Sequence, residues 1–378
     1  MRFLERERHS VAKLLPGLDD FLAGTPLAEL ERPGSPGIAE FRRCGGAGLL
    51  VPPQHGGAGA SALEALRVQR AIGARSPSLA VATTMHHFSM ASLVVLAETG
   101  GTGLEWMLME GLAKAKKLLA SGFAEGRPGS SILEPTMSAV PAEGGVRVTG
   151  VKRPCSLARS MDLLTASVRV PTLDGTGEQL AVALIPADAP GLAVSPFWGT
   201  FALAGAESDQ VTVADVFVPE ELIVRTEPMA GGQLDELQVA GFLWFELLMS
   251  GSYLGAASAV VERVLGDERV PAAERVRLVT DLEAAMAALE NIARRMPAEQ
   301  RDQQLLGDAL IVRYAVQDAI ARVVPRALEL LGGMAFIGSD DLGYLAATVN
   351  ALGFHPPSRT RMAEPLAAFL TGASLAIA

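Results

Sequence analysis

Two titratable residues stand where their surroundings would alter their chemistry. Glu246 lies inside the apolar run Trp244-Phe245-Glu246-Leu247-Leu248-Met249, and His355 opens the loop His355-Pro356-Pro357. A carboxylate buried without a partner is costly. Glu246 is therefore either paired with an arginine or held as a base of raised pKa. Histidine can accept a proton near neutral pH, so His355 is a usable base; its plainer role is to cap a proline-rich turn. A third feature is the pair His86-His87 in the helical stretch TTMHHF. Neighbours on a helix point about 100° apart, so these two do not hold one metal from one face, and no metal site is expected. Pocket-lining, packing and surface roles stay open for them. Cys44 and Cys155 are far apart and in no ligand spacing, which supports neither a disulfide framework nor a metal centre.

The elements that must position these groups fall into three blocks. From Leu118 to Pro219 four apolar runs rich in Val, Leu and Thr alternate with Gly, Pro, Asp and Ser, the pattern of short strands joined by turns. The flanking segments are rich in Ala, Leu, Glu and Arg and read as helix. The expected division is residues 1–117, helical; 118–222, β; and 223–378, a helical bundle. The longest expected helix covers residues 236–266. Of the 378 residues 49% are hydrophobic and 20% charged, enough apolar material for a large core. No uninterrupted apolar run reaches the roughly 18 residues of a membrane span, so no membrane insertion is expected. The net charge of −10 argues against a nucleic-acid surface. The charged start MRFLERERHS lacks a secretory pattern, and a cytoplasmic location is the expectation.

This order of blocks, with four local strings, resembles the acyl-CoA dehydrogenase family. The strings are LLVPPQHGGAG, FAEGRPGSS in the place of a T-E-x-x-x-G-S-D loop, FWGTFALAGAESDQVTVADVFVP at the end of the β region, and LELLGGMAFIG in the place of a Q-x-x-G-G-x-G turn. The resemblance covers nearly the whole chain. It implies a mainly α fold with a small β insert: an N-terminal helical domain, a middle β-barrel or sandwich domain and a C-terminal four-helix bundle. It also implies FAD as cofactor and a homodimer or homotetramer, with a heteromer of related subunits as the alternative. Phe123 and Ala124 would then lie along the isoalloxazine, Gly129, Ser130 and Ser131 near the pyrophosphate, and Gly332-Gly333 near a neighbouring subunit's flavin. The thioester side of the pocket would take Phe245 and one of His86 and His87.

Several strings depart from the family. Where it carries K-x-W-[IV]-[ST]-N, this chain has Lys152-Arg153-Pro154-Cys155-Ser156-Leu157, so Pro154 takes the Trp position and Ser156 keeps the hydroxyl. The R-x-x-F-G motif is missing, and Glu329 replaces a Gln. His355 stands where the family's C-terminal glutamate base would be, and Glu246 is one residue past its second base position. The first functional expectation is α,β-dehydrogenation of an acyl thioester, on CoA or an acyl carrier protein, with Glu246 or His355 as base. The alternatives are a flavin oxidase or monooxygenase on the same fold, motivated by the lost glutamate, and a degenerate non-catalytic subunit without FAD. A carrier protein would dock on a basic patch, for which Lys114, Lys116 and Lys117 are the lysine cluster.

Overall fold

The structure, a computed structural model, describes residues 2–99, 103–127, 132–226, 234–297 and 301–377. The chain opens with short helices α1 (Glu5–Leu14), α2 (Leu18–Gly24), α3 (Leu27–Leu30) and α4 (Pro36–Arg43). Longer helices follow, α5 (Ala62–Arg75), α6 (Pro77–Glu98) and α7 (Leu104–Lys114). Their limits follow capping chemistry. Ser61 and Glu64 form a reciprocal capping box at the start of α5. Ser76 ends α5 and starts α6: its hydroxyl accepts the Leu79 N–H at 3.2 Å, and Pro77 fills the first helical position.

The middle of the chain forms strands β1 (Leu119–Gly122), β2 (Ser138–Ala142), β3 (Gly145–Cys155), β4 (Leu163–Pro171), β5 (Glu178–Pro186), β6 (Leu192–Ser195), β7 (Asp209–Pro219) and β8 (Ile223–Arg225). The four runs seen in the sequence thus become eight strands among the described residues. Extra ones such as β6 and β8 are four and three residues long, too short to show an alternation. All belong to one mixed sheet of order β6-β7-β3-β2-β4-β5-β8, with β1 parallel to β4.

The C-terminal part carries α8 (Glu236–Leu265), α9 (Ala272–Arg294), α10 (Gln303–Leu331), α11 (Gly333–Ile337), α12 (Asp340–Thr348) and α13 (Arg359–Leu370). Asp235 and Gln238 box the start of α8. α8 is the central rod, packed against α5, α6, α9 and α10. By length and composition α6 and α8, with 22 and 30 residues, could cross a membrane, contrary to the expectation from uninterrupted runs; 83% of the most apolar window of each is buried inside the protein. Their apolarity is that of core helices.

Two glycines let α5 and α8 touch backbone to backbone. A Cβ at Gly255 would lie 2.2 Å from the Arg70 carbonyl oxygen, and one at Gly73 would lie 2.1 Å from that of Ser252. Beside this crossing the fully buried Arg70 binds Glu7 on α1 (3.0 Å) and Glu283 on α9 (2.6 Å). Gly255→Ala is expected to force the helices apart and destabilise the protein by about 1–3 kcal/mol. A thermal melt reads this as a lower Tm, and an unchanged Tm would contradict the close crossing.

Candidate functional site

A cavity opens between the sheet and the helices α6 and α8. On α6 its wall is the stripe Val81, Met85, Phe88, Ser89, Ser92 and Leu96, all at helical spacing. On α8 the wall is Leu237, Gln238, Gly241, Phe242 and Phe245. The sheet side gives hydroxyls from Ser121, Ser156, Thr165 and Ser167, with Trp198 and Ser208 beyond β6. Aromatic rings make a continuous edge: Phe88 lies 5.7 Å from Phe123 and 5.8 Å from Phe245, which lies 6.2 Å from His355. The lining among the described residues carries no aspartate, glutamate, lysine or arginine.

Charge is held just behind this wall. Lys152, fully buried, pairs with Glu125 (2.8 Å) and donates to the Ser167 hydroxyl (3.0 Å). The Arg153 N–H donates to the Ala124 carbonyl (2.8 Å), which holds Phe123-Ala124 beside Pro154 and Ser156. Ser156 and Ser208 share a hydrogen bond of 2.9 Å. Behind the helical wall the buried Arg313 of α10 donates to Glu246 Oε2 (2.7 Å) and to the carbonyls of Leu352 (3.1 Å), His355 (2.6 Å) and Pro356 (3.3 Å). Those three carbonyls belong to the segment that carries His355 to the cavity. His355 Nε2 lies 2.8 Å from the Tyr253 hydroxyl.

Burial dominates the titration of these groups. It pushes the Glu246 carboxyl up to about 7, against the pull of Arg313. It drives His355 down to about 3, with the Arg313 charge adding to the effect. His86 is lowered to about 4, mainly by burial.

No family model matches the chain. It is 47% identical over 380 residues to isobutylamine N-hydroxylase of Streptomyces viridifaciens, covering 100% of both chains. It is 23% identical over 352 residues, 88% of each chain, to YdbM of Bacillus subtilis, provisionally named an acyl-CoA dehydrogenase. Among solved structures it is similar to TdsC of Paenibacillus sp. A11-2, a dibenzothiophene monooxygenase, in its FMN-bound form; the TM-score is 0.81 at 19% identity, over 99% of each chain. The chain belongs to the acyl-CoA dehydrogenase-like family of flavin enzymes.

Placed in this acyl-CoA dehydrogenase-like frame, the residues expected at the site separate into groups. Phe123, Ala124, Ser156, Phe245 and His355 line the cavity together. Glu246 does not: one residue beyond Phe245, it turns away to Arg313, so the paired-carboxylate reading describes its position. His86 and His87 lie outside the lining as well. His86 is a staple, its Nε2–H donating to the Ala47 carbonyl (3.0 Å) and its Nδ1 accepting the Leu119 N–H (3.1 Å). His87 packs edge-on against Phe41 (5.6 Å) and its ring nitrogens are buried without a partner.

Gly129, Ser130 and Ser131 lie outside the described residues. Gly332 and Gly333 sit at the end of α10, away from the cavity, and a Cβ at either meets nothing within 4 Å; the φ of +79° at Gly332 is what favours glycine. Glu329 pairs with Arg326 (2.7 Å) on the surface. Lys114 pairs with Glu110, and Lys116 donates to the Arg43 carbonyl (2.7 Å), so both serve the end of α7. Phe88, Trp198 and the wall hydroxyls other than Ser156 escaped the sequence reading. The α6 stripe was detectable by its period, whereas the strand hydroxyls carry no signal until register is known.

Two outcomes follow. Arg313→Leu strands the buried Glu246 carboxylate and frees residues 352–356, and it is expected to cost about 3–5 kcal/mol. Glu246→Leu together with Arg313→Leu is expected to recover much of that stability while leaving the His355 loop unanchored; urea unfolding of both variants distinguishes the effects. The neutral buried histidines also set an acid limit. The unfolded chain takes protons at His355 near pH 6.5 and the folded one only near 3, so stability falls as pH drops through that window. His355→Gln is expected to flatten the decline in urea midpoint between pH 6.5 and 4.

Proposed function

We propose that this chain is a flavin-dependent monooxygenase that N-hydroxylates a small aliphatic primary amine, with FMN as the flavin. The observation that carries the reading is the full-length 47% identity to isobutylamine N-hydroxylase. An apolar cavity of aromatic and hydroxyl residues suits a small, uncharged amine. FMN is favoured over the expected FAD by the FMN-bound relative of this fold and by the absence of the R-x-x-F-G string.

The residues present fit a flavin. The backbone of Phe123-Ala124, Pro154, and the Ser156–Ser208 hydroxyl pair form a flat, uncharged ledge, with the Trp198 ring nearby. When bound, reduced flavin and O₂ supply one oxygen atom to the amine and the electrons that take the other to water: R-NH₂ + O₂ + reduced flavin give R-NHOH + H₂O + oxidised flavin. The chain's own contribution is threefold. Phe88, Phe245 and Phe242 exclude water from the reacting nitrogen. The apolar wall favours the uncharged amine, whose lone pair is the nucleophile. His355, neutral across the physiological range, offers a hydrogen-bonding nitrogen at the cavity edge. An acyl-thioester dehydrogenase needs an ionisable carboxylate in the cavity, and Glu246 is turned away from it.

Purified protein supplied with isobutylamine, O₂, FMN and a flavin reductase with NADH is expected to form the hydroxylamine, identified by mass as one added oxygen and abolished without O₂. Flavin bleaching by an acyl-CoA under anaerobic conditions, with no hydroxylamine in air, would instead restore the dehydrogenase reading. A protein that binds no flavin at all would favour the degenerate subunit.

A further inference from the structure

The hydrogen-bond inventory of the cavity is lopsided. Ser89, Ser92, Thr165 and Thr226 each have a backbone carbonyl within donating distance: Met85 (3.1 Å), Phe88 (2.9 Å), Ala120 (3.0 Å) and Leu180 (2.8 Å). A hydroxyl has one hydrogen, so these four turn mainly lone pairs to the cavity. On the helical side this leaves Gln238 and His355 as the polar side chains of the lining besides the two serines, and the protonation state of His355 decides whether its free nitrogen donates.

That state is set from behind. The Tyr253 side chain on α8 is 1% exposed, and its hydroxyl has one hydrogen-bond partner among the described residues, His355 Nε2 at 2.8 Å. Were the ring proton on Nε2, it would donate to the phenol oxygen and leave the phenol hydrogen buried without an acceptor, which is the costly arrangement. With the phenol donating, both groups are satisfied and the proton sits on Nδ1. Nδ1 has no protein partner among the described residues, is not among the shut-in atoms, and belongs to a ring that lines the cavity. A doubly protonated ring is opposed by burial and by Arg313, whose guanidinium bonds to the His355 carbonyl.

We infer that Tyr253 is a positioning residue that holds His355 in its Nδ1–H tautomer and so presents a fixed N–H donor to the substrate or to the oxygen being transferred. What the donor acts on rests on the proposed hydroxylation; the tautomer does not.

The test begins with the protein alone. Nitrogen-15 histidine labelling gives five histidines, and His355→Gln identifies the signal of residue 355. Long-range nitrogen–proton correlation at neutral pH is expected to show Nδ1 protonated and Nε2 bare and hydrogen-bonded. Tyr253→Phe, a fold-conserving change, is expected to give a mixture of tautomers. Wild-type protein protonated at Nε2, or a Tyr253→Phe spectrum unchanged from wild type, overturns the inference. In turnover, Tyr253→Phe is expected to lower hydroxylamine formed per O₂ consumed about tenfold, the worth of one hydrogen bond, with KM for the amine nearly unchanged. A tenfold loss confined to KM would also overturn it. If wild-type protein forms no hydroxylamine, the proposed activity fails, while the tautomer is still decided by the spectra.

Discussion

A single buried guanidinium organises the cavity end of this molecule. Arg313 is fully removed from solvent, and a charge in that position must find a counter-ion and acceptors. Glu246 is the counter-ion, and the carbonyls of Leu352, His355 and Pro356 are the acceptors. One side chain thereby ties α8, α10 and an irregular loop together. Replacing such a pair by apolar residues is often neutral for stability. Its effect here is geometric: without it, the His355 and Pro356 carbonyls lose their donor, Leu352 keeps only Gln317 (3.3 Å), and His355 is held against Phe245 with fewer bonds, chiefly that to Tyr253.

The remaining packing serves the same end. α8 must run close enough to α5 and α6 for its face from Leu237 to Phe245 to meet the stripe on α6. Glycine at positions 73 and 255 makes the approach to α5 sterically possible, and the Arg70 cluster fastens the N-terminal helix to the far side of the bundle. On the opposite wall Lys152 is neutralised by Glu125 before it can show its charge to the cavity, and reaches the surface of the wall only through the Ser167 hydroxyl. Among the described residues the lining is uncharged, and the nearest charges are matched one layer back.

Local chemistry explains which parts of this could be read in the sequence. Helix limits at Ser76-Pro77 and at Asp235 follow from caps, which are local, and they were legible. Strand number was not, because strands as short as β6 and β8 are recognised only by their pairing. At the site, Phe123, Phe245 and His355 were placed on the pocket by resemblance to family strings, and they do meet there. Glu246 looked equally suited, since an acidic residue in an apolar run fits both a base and an ion pair. The choice depended on Arg313, 67 residues away, and no local rule reports such a partner. For His86 the sequence left pocket-lining, packing and surface roles open for the same reason: its partners, Ala47 and Leu119, come from distant parts of the chain.

A lining without charged side chains among the described residues has a consequence for the proposed amine substrate. A primary alkylamine in water is mostly ammonium at neutral pH, with a pKa of about 10 as for lysine. Entering a wall without carboxylates, the ammonium loses hydration and gains no counter-ion, so its pKa must fall, as that of a buried lysine does. The free base is also the nucleophilic form, so the desolvation that opposes binding selects the species that reacts. Glu246, placed in the cavity, would have stabilised the ammonium and quenched its lone pair. Turned to Arg313, it would leave the nitrogen of the proposed substrate unprotonated and serve that chemistry by helping to hold His355 in place.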